Sequence, residues 1–159
     1  MNLRALKSSD ESLMQTLLHD IELFTQEEID VVNELLGVYL HQPEQKDYHF
    51  FGHEDDKGIL LSFICFGPTP MTNNTFDLYW IGTHPQVRGQ GLAVKLIEHM
   101  KQSMINVKAK LIRVETSSKE LYASTQAFYD RLHFKEAARI KDFYHDGDDL
   151  ITYIMKVEG

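Results

Sequence analysis

The first quarter of the chain carries its apolar residues at helical spacing. Residues 3–7 predict a short first strand, and a capping box at residues 8–11 predicts the start of a helix. A second capping box at residues 25–28 predicts another helix, which ends near Gln42 and Pro43. The apolar faces are formed by Leu13, Leu17, Leu18 and Ile21 in the first helix, and by Ile29, Val32, Leu36 and Tyr39 in the second.

Apolar runs and alternation in the rest of the chain predict six more strands and two more helices. Strands are expected at residues 48–53, 59–67, 75–83, 110–116, 135–144 and 150–157. One helix begins at Leu92 with Leu96, Ile97 and Met100 on its buried face, and another covers residues 121–134. Hairpin turns are expected at residues 54–58 and 145–149. Strands mixed with helices on both faces predict an α/β sandwich in which hairpin neighbours pair antiparallel.

Length and composition indicate a single packed domain over residues 1–159. Hydrophobic residues make up 43% of the chain, and no apolar run approaches the roughly 20 residues that span a bilayer. The N-terminus lacks the pattern of a signal peptide, so we expect a cytoplasmic protein without a membrane partner. The single cysteine, Cys65, lies in an apolar strand and is expected to be a buried structural thiol.

The chain is acidic, with a formal net charge of −8. Proteins that bind nucleic acid usually present a basic face, so the charge argues against a nucleic-acid partner. An acidic surface instead favours cationic ligands such as amines through long-range attraction.

A glycine-rich turn joins the strand at residues 75–83 to the next helix. It reads Arg88-Gly89-Gln90-Gly91-Leu92-Ala93, and we call these six residues the cradle. The two glycines allow the backbone to approach a ligand closely, and the first N–H groups of the helix lie at the positive end of its dipole. Such a turn is suited to a phosphate group. Its spacing is neither that of a P-loop nor that of a dinucleotide fingerprint.

The cradle fits the pattern Arg/Gln-x-x-Gly-x-Gly/Ala through Arg88, Gly91 and Ala93, and it resembles the acetyl-coenzyme A signature of the GNAT superfamily of N-acetyltransferases. Residues 121–134 are similar to a later helix of that superfamily, with Tyr129 and Phe134 at the usual positions. The resemblance covers about residues 76–157. Three residues depart from the pattern: Tyr122 replaces Asn, Thr125 replaces Ala and His133 replaces Gly. The first departure puts one coenzyme hydrogen bond in doubt, and the last suggests a different exit from the helix.

The resemblance implies a fold and a set of coenzyme contacts. We expect a GNAT-like mixed, mostly antiparallel sheet with helices on both faces and a splayed parallel pair of strands at the coenzyme site. The resemblance further implies that acetyl-coenzyme A binds as co-substrate. The backbone of Arg88, Gly89, Gln90, Gly91, Leu92 and Ala93 would hold its pyrophosphate, while Ile81 and Thr83 would pair with the pantetheine arm. Tyr129 would contact the coenzyme and act as general acid toward its sulfur, although a core aromatic is the simpler alternative.

The base that accepts the proton of the amine is less clear from the sequence. Glu115 and Asp77 are the two candidates, because each carboxylate lies in an otherwise apolar strand, where an unpaired charge is costly. A structural partner such as Arg113 is an equally good explanation for either residue. The aspartates of the last hairpin are typical of turns.

Eight histidines raise the question of a metal site. His49 and His53 are about 13 Å apart on a strand at ~3.3 Å per residue, which is too far to share one ion. We therefore expect no metal.

The sequence thus predicts an N-acetyltransferase that moves an acetyl group to a small-molecule or peptide amine by direct attack. A non-catalytic domain of the same fold, which binds or senses an acyl-coenzyme A, is the alternative, and Tyr129 favours the enzyme. The sequence leaves open which amine is the acceptor, which acyl group is transferred and which residue is the base. It also leaves open the oligomeric state, for which a homodimer is one option.

Overall fold

The computed structural model describes residues 1–157, in which seven strands form one mixed sheet and four α-helices accompany it. The strands are β1 (Asn2–Ala5), β2 (His49–Glu54), β3 (Leu60–Pro68), β4 (Thr75–Thr83), β5 (Leu111–Ser117), β6 (Lys135–His145) and β7 (Asp148–Lys156). The helices are α1 (Glu11–Asp20), α2 (Gln26–His41), α3 (Leu92–Asn106) and α4 (Ala123–Arg131). The strand order is β1-β2-β3-β4-β5-β7-β6, with β4 and β5 parallel, which confirms the predicted fold class.

The chain forms two compact units. The first contains Met1–Pro68 and Leu78–Gln102, and the second contains Thr69–Asp77 and the residues from Ser103 onward. Strand β4 and helix α3 therefore contribute residues to both units. The prediction of a single domain stays a prediction.

The core of the first unit lies between helices α1 and α2 and one face of β2 and β3. Phe50 and Phe63 are fully buried there, together with Met14, Leu18 and Val32 from the helices. Side chains on a strand alternate between faces, so Phe51 points to the opposite face, where its ring lies 4.2 Å from that of His99 on α3. Full burial of each large apolar side chain contributes roughly 1.5–3 kcal/mol, so this layer is the main source of stability in the unit.

The two helix starts of the first unit differ in how well the sequence predicted them. At α2 the predicted capping box is confirmed, because Glu28 N–H donates to Thr25 Oγ1 and Thr25 N–H donates to the Glu28 carboxylate. The box predicted at residues 8–11 is wrong, because Ser8–Asp10 form a 3₁₀ turn. Asp10 is the residue that satisfies this turn: its carboxylate accepts from Lys7 N–H and pairs with Arg4 at 2.6 Å.

In the second unit, β7 is central and antiparallel to both of its neighbours. It pairs with β5 from Leu111↔Lys156 to Ser117↔Leu150, and with β6 on its other edge. Strand β6 is exposed along its whole length and is interrupted by two irregularities in its register. The last hairpin is tighter than predicted, because β6 continues to His145 and β7 already begins at Asp148.

Two details of the second unit bear on the family pattern. The parallel ladder of β4 and β5 consists of three pairs, Thr75↔Leu111 to Asp77↔Arg113. After helix α4, His133 adopts the left-handed backbone that glycine usually adopts at this position, with φ of +66°. The chain therefore leaves the helix as it would if residue 133 were glycine. The different helix exit expected from His133 is therefore wrong.

Candidate active site

The cradle begins where strand β4 ends. After Thr83 the chain makes a short 3₁₀ turn, Pro85–Val87, before it reaches the cradle. Gly89 and Gly91 both have left-handed backbones, with φ of +79° and +77°, which side chains other than glycine rarely adopt. A Cβ built at either glycine meets nothing within 4 Å. The sequence therefore places its two glycines where the backbone needs them and where space is open.

Of the backbone donors of the cradle, only Arg88 N–H has an acceptor among residues 1–157, namely the Pro85 carbonyl at 3.4 Å. The first hydrogen bond of α3 runs from Lys95 N–H to the carbonyl of Gly91 at 3.1 Å. For the N–H groups of residues 89–94, no acceptor is found anywhere in residues 1–157. Free N–H groups at a helix start, beside the positive end of the helix dipole, are suited to an anion. The cradle thus fits a diphosphate group.

The strand that leads to the cradle is closely packed. A Cβ built at Gly82 would lie 2.6 Å from Ile21 Cδ1 and 2.9 Å from Phe63 Cε1, so only glycine fits there. Next to it, Thr83 Oγ1 is buried and has no hydrogen-bond partner among the described residues. A buried hydroxyl usually has a partner, so Thr83 offers an unused polar group close to the cradle.

The side chain of Arg88 does not extend into solvent but turns back to the protein. Its Nη2 donates to the carbonyl of Ile21 at 3.0 Å, and its Nε lies 3.4 Å from the carbonyl of Thr83. No sequence pattern pointed to this contact, because Ile21 and Arg88 are far apart in the chain. The sequence predicted that the backbone of Arg88 contacts the coenzyme, but it did not predict that the guanidinium binds the Ile21 carbonyl.

Tyr129, the predicted general acid, belongs to the second unit. It is 3% exposed, and its ring packs against those of Phe134 and Tyr153 at centroid distances of 5.3 and 5.7 Å. Burial raises the pKa of its phenol well above the ordinary value, with a smaller contribution from Tyr153. The ring is therefore buried, and the phenol is fully protonated at neutral pH.

The two carboxylates predicted as bases have different surroundings, both within the second unit. Asp77 is 6% exposed and accepts hydrogen bonds from Arg113 at 2.7 and 3.2 Å and from Thr69 at 2.8 Å. Glu115 is exposed, and its nearest cation is Arg113 Nη1 at 3.7 Å. Asp77 therefore has the environment of a structural ion pair, whereas the Glu115 carboxylate is open to solvent.

The described residues also bear on metal binding and on membrane insertion. Among the described residues, no group of three or more His, Cys, Asp or Glu side chains is arranged to hold a metal ion. No helix within residues 1–157 is both long enough and apolar enough to cross a membrane.

Comparison with known proteins identifies the family. A sequence profile described as the acetyltransferase (GNAT) domain matches residues 46–136, more than half of the chain. No curated protein matches the chain. A solved structure of a proposed GNAT acetyltransferase from Desulfovibrio desulfuricans is 34% identical, with 99% of each chain covered and a TM-score of 0.91.

Two further structures share the fold at low identity. The ribosomal-protein-S18-alanine N-acetyltransferase of Escherichia coli is 17% identical with a TM-score of 0.78, covering 99% of this chain and 94% of its own. An aminoglycoside 6'-N-acetyltransferase complexed with coenzyme A is 14% identical with a TM-score of 0.77, covering 100% of this chain and 98% of its own.

Proposed function

The chain belongs to the GNAT family of acetyltransferases, and from this premise we propose that it transfers the acetyl group of acetyl-coenzyme A to an amine by direct attack. One observation carries the proposal: the N–H groups of residues 89–94, at the start of α3 on a turn with two left-handed glycines, have no acceptor within residues 1–157. A coenzyme A diphosphate is an anion of the size and charge that such donors bind. A structural neighbour complexed with coenzyme A supports the choice of ligand.

In this proposal the cradle binds the coenzyme through backbone groups. The N–H groups of residues 89–93 hold the diphosphate, while Ile81 and Thr83 pair with the pantetheine arm as an additional strand would; Arg88 N–H already donates to the Pro85 carbonyl. The unpaired hydroxyl of Thr83 supports this role. Gly89 and Gly91 keep the approach free of side chains.

Acetyl-coenzyme A supplies a thioester whose carbonyl carbon is open to a neutral amine. A free lysine-like amine has a pKa of about 10.4, so roughly one molecule in a thousand is neutral at pH 7. We propose Glu115 as the base, acting directly or through water, because its carboxylate is exposed and only loosely paired. Asp77 is a weaker candidate, because three hydrogen bonds already occupy its two oxygens.

Tyr129 is proposed as the general acid for the departing sulfur. Its hydroxyl makes no side-chain hydrogen bond within the described part of the chain, so the proton is available to a ligand. A free thiol has a pKa of about 8.5, below the ordinary tyrosine value of about 10, and burial raises the pKa of Tyr129 further, so complete proton transfer to the thiolate is uphill. We therefore propose that Tyr129 acts mainly as a hydrogen-bond donor to the developing thiolate.

The test is release of coenzyme A from acetyl-coenzyme A in the presence of a panel of amines. The panel includes polyamines, aminoglycosides and peptides with a free N-terminal alanine, since the last two are acceptors of structural neighbours. A thiol reagent reports only the released coenzyme, because the single cysteine, Cys65, is buried and burial raises the pKa of its thiol well above the ordinary value. Mass spectrometry of the amines then identifies the acetylated product.

Two outcomes separate the enzyme from its alternative. Amine-dependent thiol release and an acetylated amine support the transferase. Tight coenzyme binding by calorimetry without thiol release from any amine would favour the non-catalytic domain that binds or senses an acyl-coenzyme A.

A further inference from the structure

The segment between α1 and α2, residues 21–25, lies against the end of β4 and the cradle. Helix α1 ends at Asp20, and Glu22 then takes a left-handed backbone with φ of +56°. Helix carbonyls at a C-terminus have no partner within the helix. Arg88 supplies one: its Nη2 donates to the carbonyl of Ile21 at 3.0 Å. A cation at this end of a helix also interacts favourably with the helix dipole.

Two further contacts connect the same parts of the first unit. His84 accepts from Gln86 N–H through Nδ1 at 3.2 Å, which leaves Nε2 as the donor toward Asp20 Oδ2, 3.5 Å away. On β4, Gly82 lies so close to residues 21–25 that a Cβ there would be 2.6 Å from Ile21 Cδ1 and 3.5 Å from Phe24 Cε2. The end of β4 and the cradle therefore contact the α1 terminus at three points.

Of these contacts, the one from Arg88 lies inside the cradle itself. The guanidinium is held by carbonyl oxygens and has no carboxylate partner among residues 1–157. The next residue, Gly89, has an intrinsically flexible backbone. The hydrogen bond from the Arg88 side chain to the Ile21 carbonyl therefore restricts the conformations of the cradle. The fixed fork of the guanidinium allows it to reach the carbonyls of Ile21 and Thr83 together, which a lysine cannot do equally well.

We propose that Arg88 is a positioning residue that couples the coenzyme-filled cradle to residues 21–25. The side chain stays on the Ile21 carbonyl when the coenzyme is bound, and binding that orders the cradle also orders this segment. The coupling is reciprocal, so an ordered segment raises coenzyme affinity to the same degree. This inference rests on the proposed function, since it requires the coenzyme to bind at the cradle.

Hydrogen exchange followed by mass spectrometry tests the coupling. The peptide that covers residues 21–25 contains three amides with known acceptors: Ile21 N–H donates to the Leu17 carbonyl, Glu22 N–H to the His19 carbonyl and Thr25 N–H to the Glu28 carboxylate. With saturating coenzyme A we expect exchange in this peptide to slow at least about fivefold, the lower end of typical coupling between sites. In Arg88→Ala, also saturated with coenzyme A, the slowing should be lost, and in Arg88→Lys it should return in part.

Lys57→Ala is the matched control, because it removes the same charge from an exposed residue of the β2–β3 hairpin. It should show the same slowing as the parent protein. Slowing that persists in Arg88→Ala, or its absence in a parent protein that binds coenzyme A by calorimetry, would overturn the coupling. A lack of coenzyme binding by the parent would overturn the proposed function together with this inference.

Discussion

Two turns in this protein contain glycine with the same left-handed backbone, yet they differ in what surrounds them. Gly91 in the cradle has φ of +77°, and Gly147 in the β6–β7 hairpin has φ of +79°. A Cβ at either position would meet nothing within 4 Å. By the conformation of glycine and the space around it, the two turns cannot be told apart.

Their hydrogen bonds do distinguish them. In the hairpin, Gly147 N–H donates to Asp142 Oδ1 at 2.7 Å, and Asp142 N–H donates to Asp149 Oδ1 at 3.0 Å. Asp149 N–H in turn donates to Ser118 Oγ at 2.7 Å. In the cradle, the N–H groups of residues 89–94 have no such partners within residues 1–157. The comparison teaches that unpaired donors mark the candidate site, whereas the glycines alone do not.

Two side chains of the second unit, Asp77 and Tyr129, also differ in the partners that surround them. Asp77 is buried with three hydrogen bonds, and its charge is used within the protein. Tyr129 is buried as well, but its surroundings are the rings of Phe134 and Tyr153 and not a charged partner. Both were predicted as catalytic residues from the sequence, and both roles stay predictions.

The largest expected effect comes from exchanging glycine for valine in each of the two turns. Gly91→Val places a branched side chain where the diphosphate is proposed to bind, so coenzyme affinity should fall at least about 100-fold, or ~2.7 kcal/mol. Gly147→Val should leave the affinity unchanged. Both variants should lose about 1–3 kcal/mol of stability, because both force a side chain into a left-handed backbone. Calorimetry with coenzyme A measures the first effect and urea unfolding the second.

This pair of variants separates ligand binding from backbone strain. Equal loss of coenzyme affinity in both would mean that strain is responsible, and the cradle would lose its assignment. Unchanged affinity in a folded Gly91→Val would have the same consequence.

A second effect concerns the hydroxyl of Tyr129. Tyr129→Phe keeps the ring in the core, so the coenzyme should still bind, while kcat should fall about 10- to 100-fold, the effect expected when a hydrogen bond to a developing charge is lost. Tyr153→Phe is the matched control, because it removes a hydroxyl from the same aromatic cluster and should leave kcat unchanged. If both variants turn over within twofold of the parent, with chemistry rate-limiting, Tyr129 is only a core aromatic.

A third effect distinguishes a structural carboxylate from a catalytic one. Asp77→Asn should lower stability by about 1–2 kcal/mol, since it removes the charge that Arg113 pairs with while that arginine remains partly exposed. The kcat of the folded protein should be unchanged. A drop in kcat of tenfold or more at equal folded fraction would instead return Asp77 to the list of bases, alongside Glu115.

The smallest effect is a pH dependence from two histidines, of which His53 is buried and His49 is partly buried. Burial lowers the pKa of His49, and burial together with Lys95 and the N-terminal amine lowers the pKa of His53. Because their unfolded pKa is about 6.5 and the folded value is lower, the unfolded state binds more protons below pH 6.5. Stability should be constant above that pH and should fall below it, by at most about 1.4 kcal/mol per pH unit for each histidine.

Urea unfolding between pH 7.5 and 5.5 measures this slope. A His53→Gln variant should show a shallower slope than the parent, whatever its stability at pH 7.5. A parent stability that rises toward pH 5.5 would contradict the assignment.

Local patterns predicted more of this protein than distant contacts did. The bounds of β4 and the left-handed glycines follow from nearby residues, and the Thr25–Glu28 capping box is a four-residue signal. The box at residues 8–11 failed because Asp10 has a partner outside that window: its carboxylate pairs with Arg4. Sequence alone could name Arg113 as a partner for Asp77, because both were expected on neighbouring strands. It could not assign Arg88 to the Ile21 carbonyl, since no periodicity relates a helix end to a turn so far along the chain.

The packing of residues 21–25 has an optical consequence. Trp80 is the only tryptophan of the chain, and its ring meets that of Phe24 edge-on at 5.6 Å. It lies on β4, three residues before Thr83, and is partly buried against the core of the first unit. Excitation of tryptophan therefore samples this one location without any added label. Trp80 is thus an intrinsic fluorophore beside residues 21–25, and its emission in the unmodified chain reports on the surroundings of this segment.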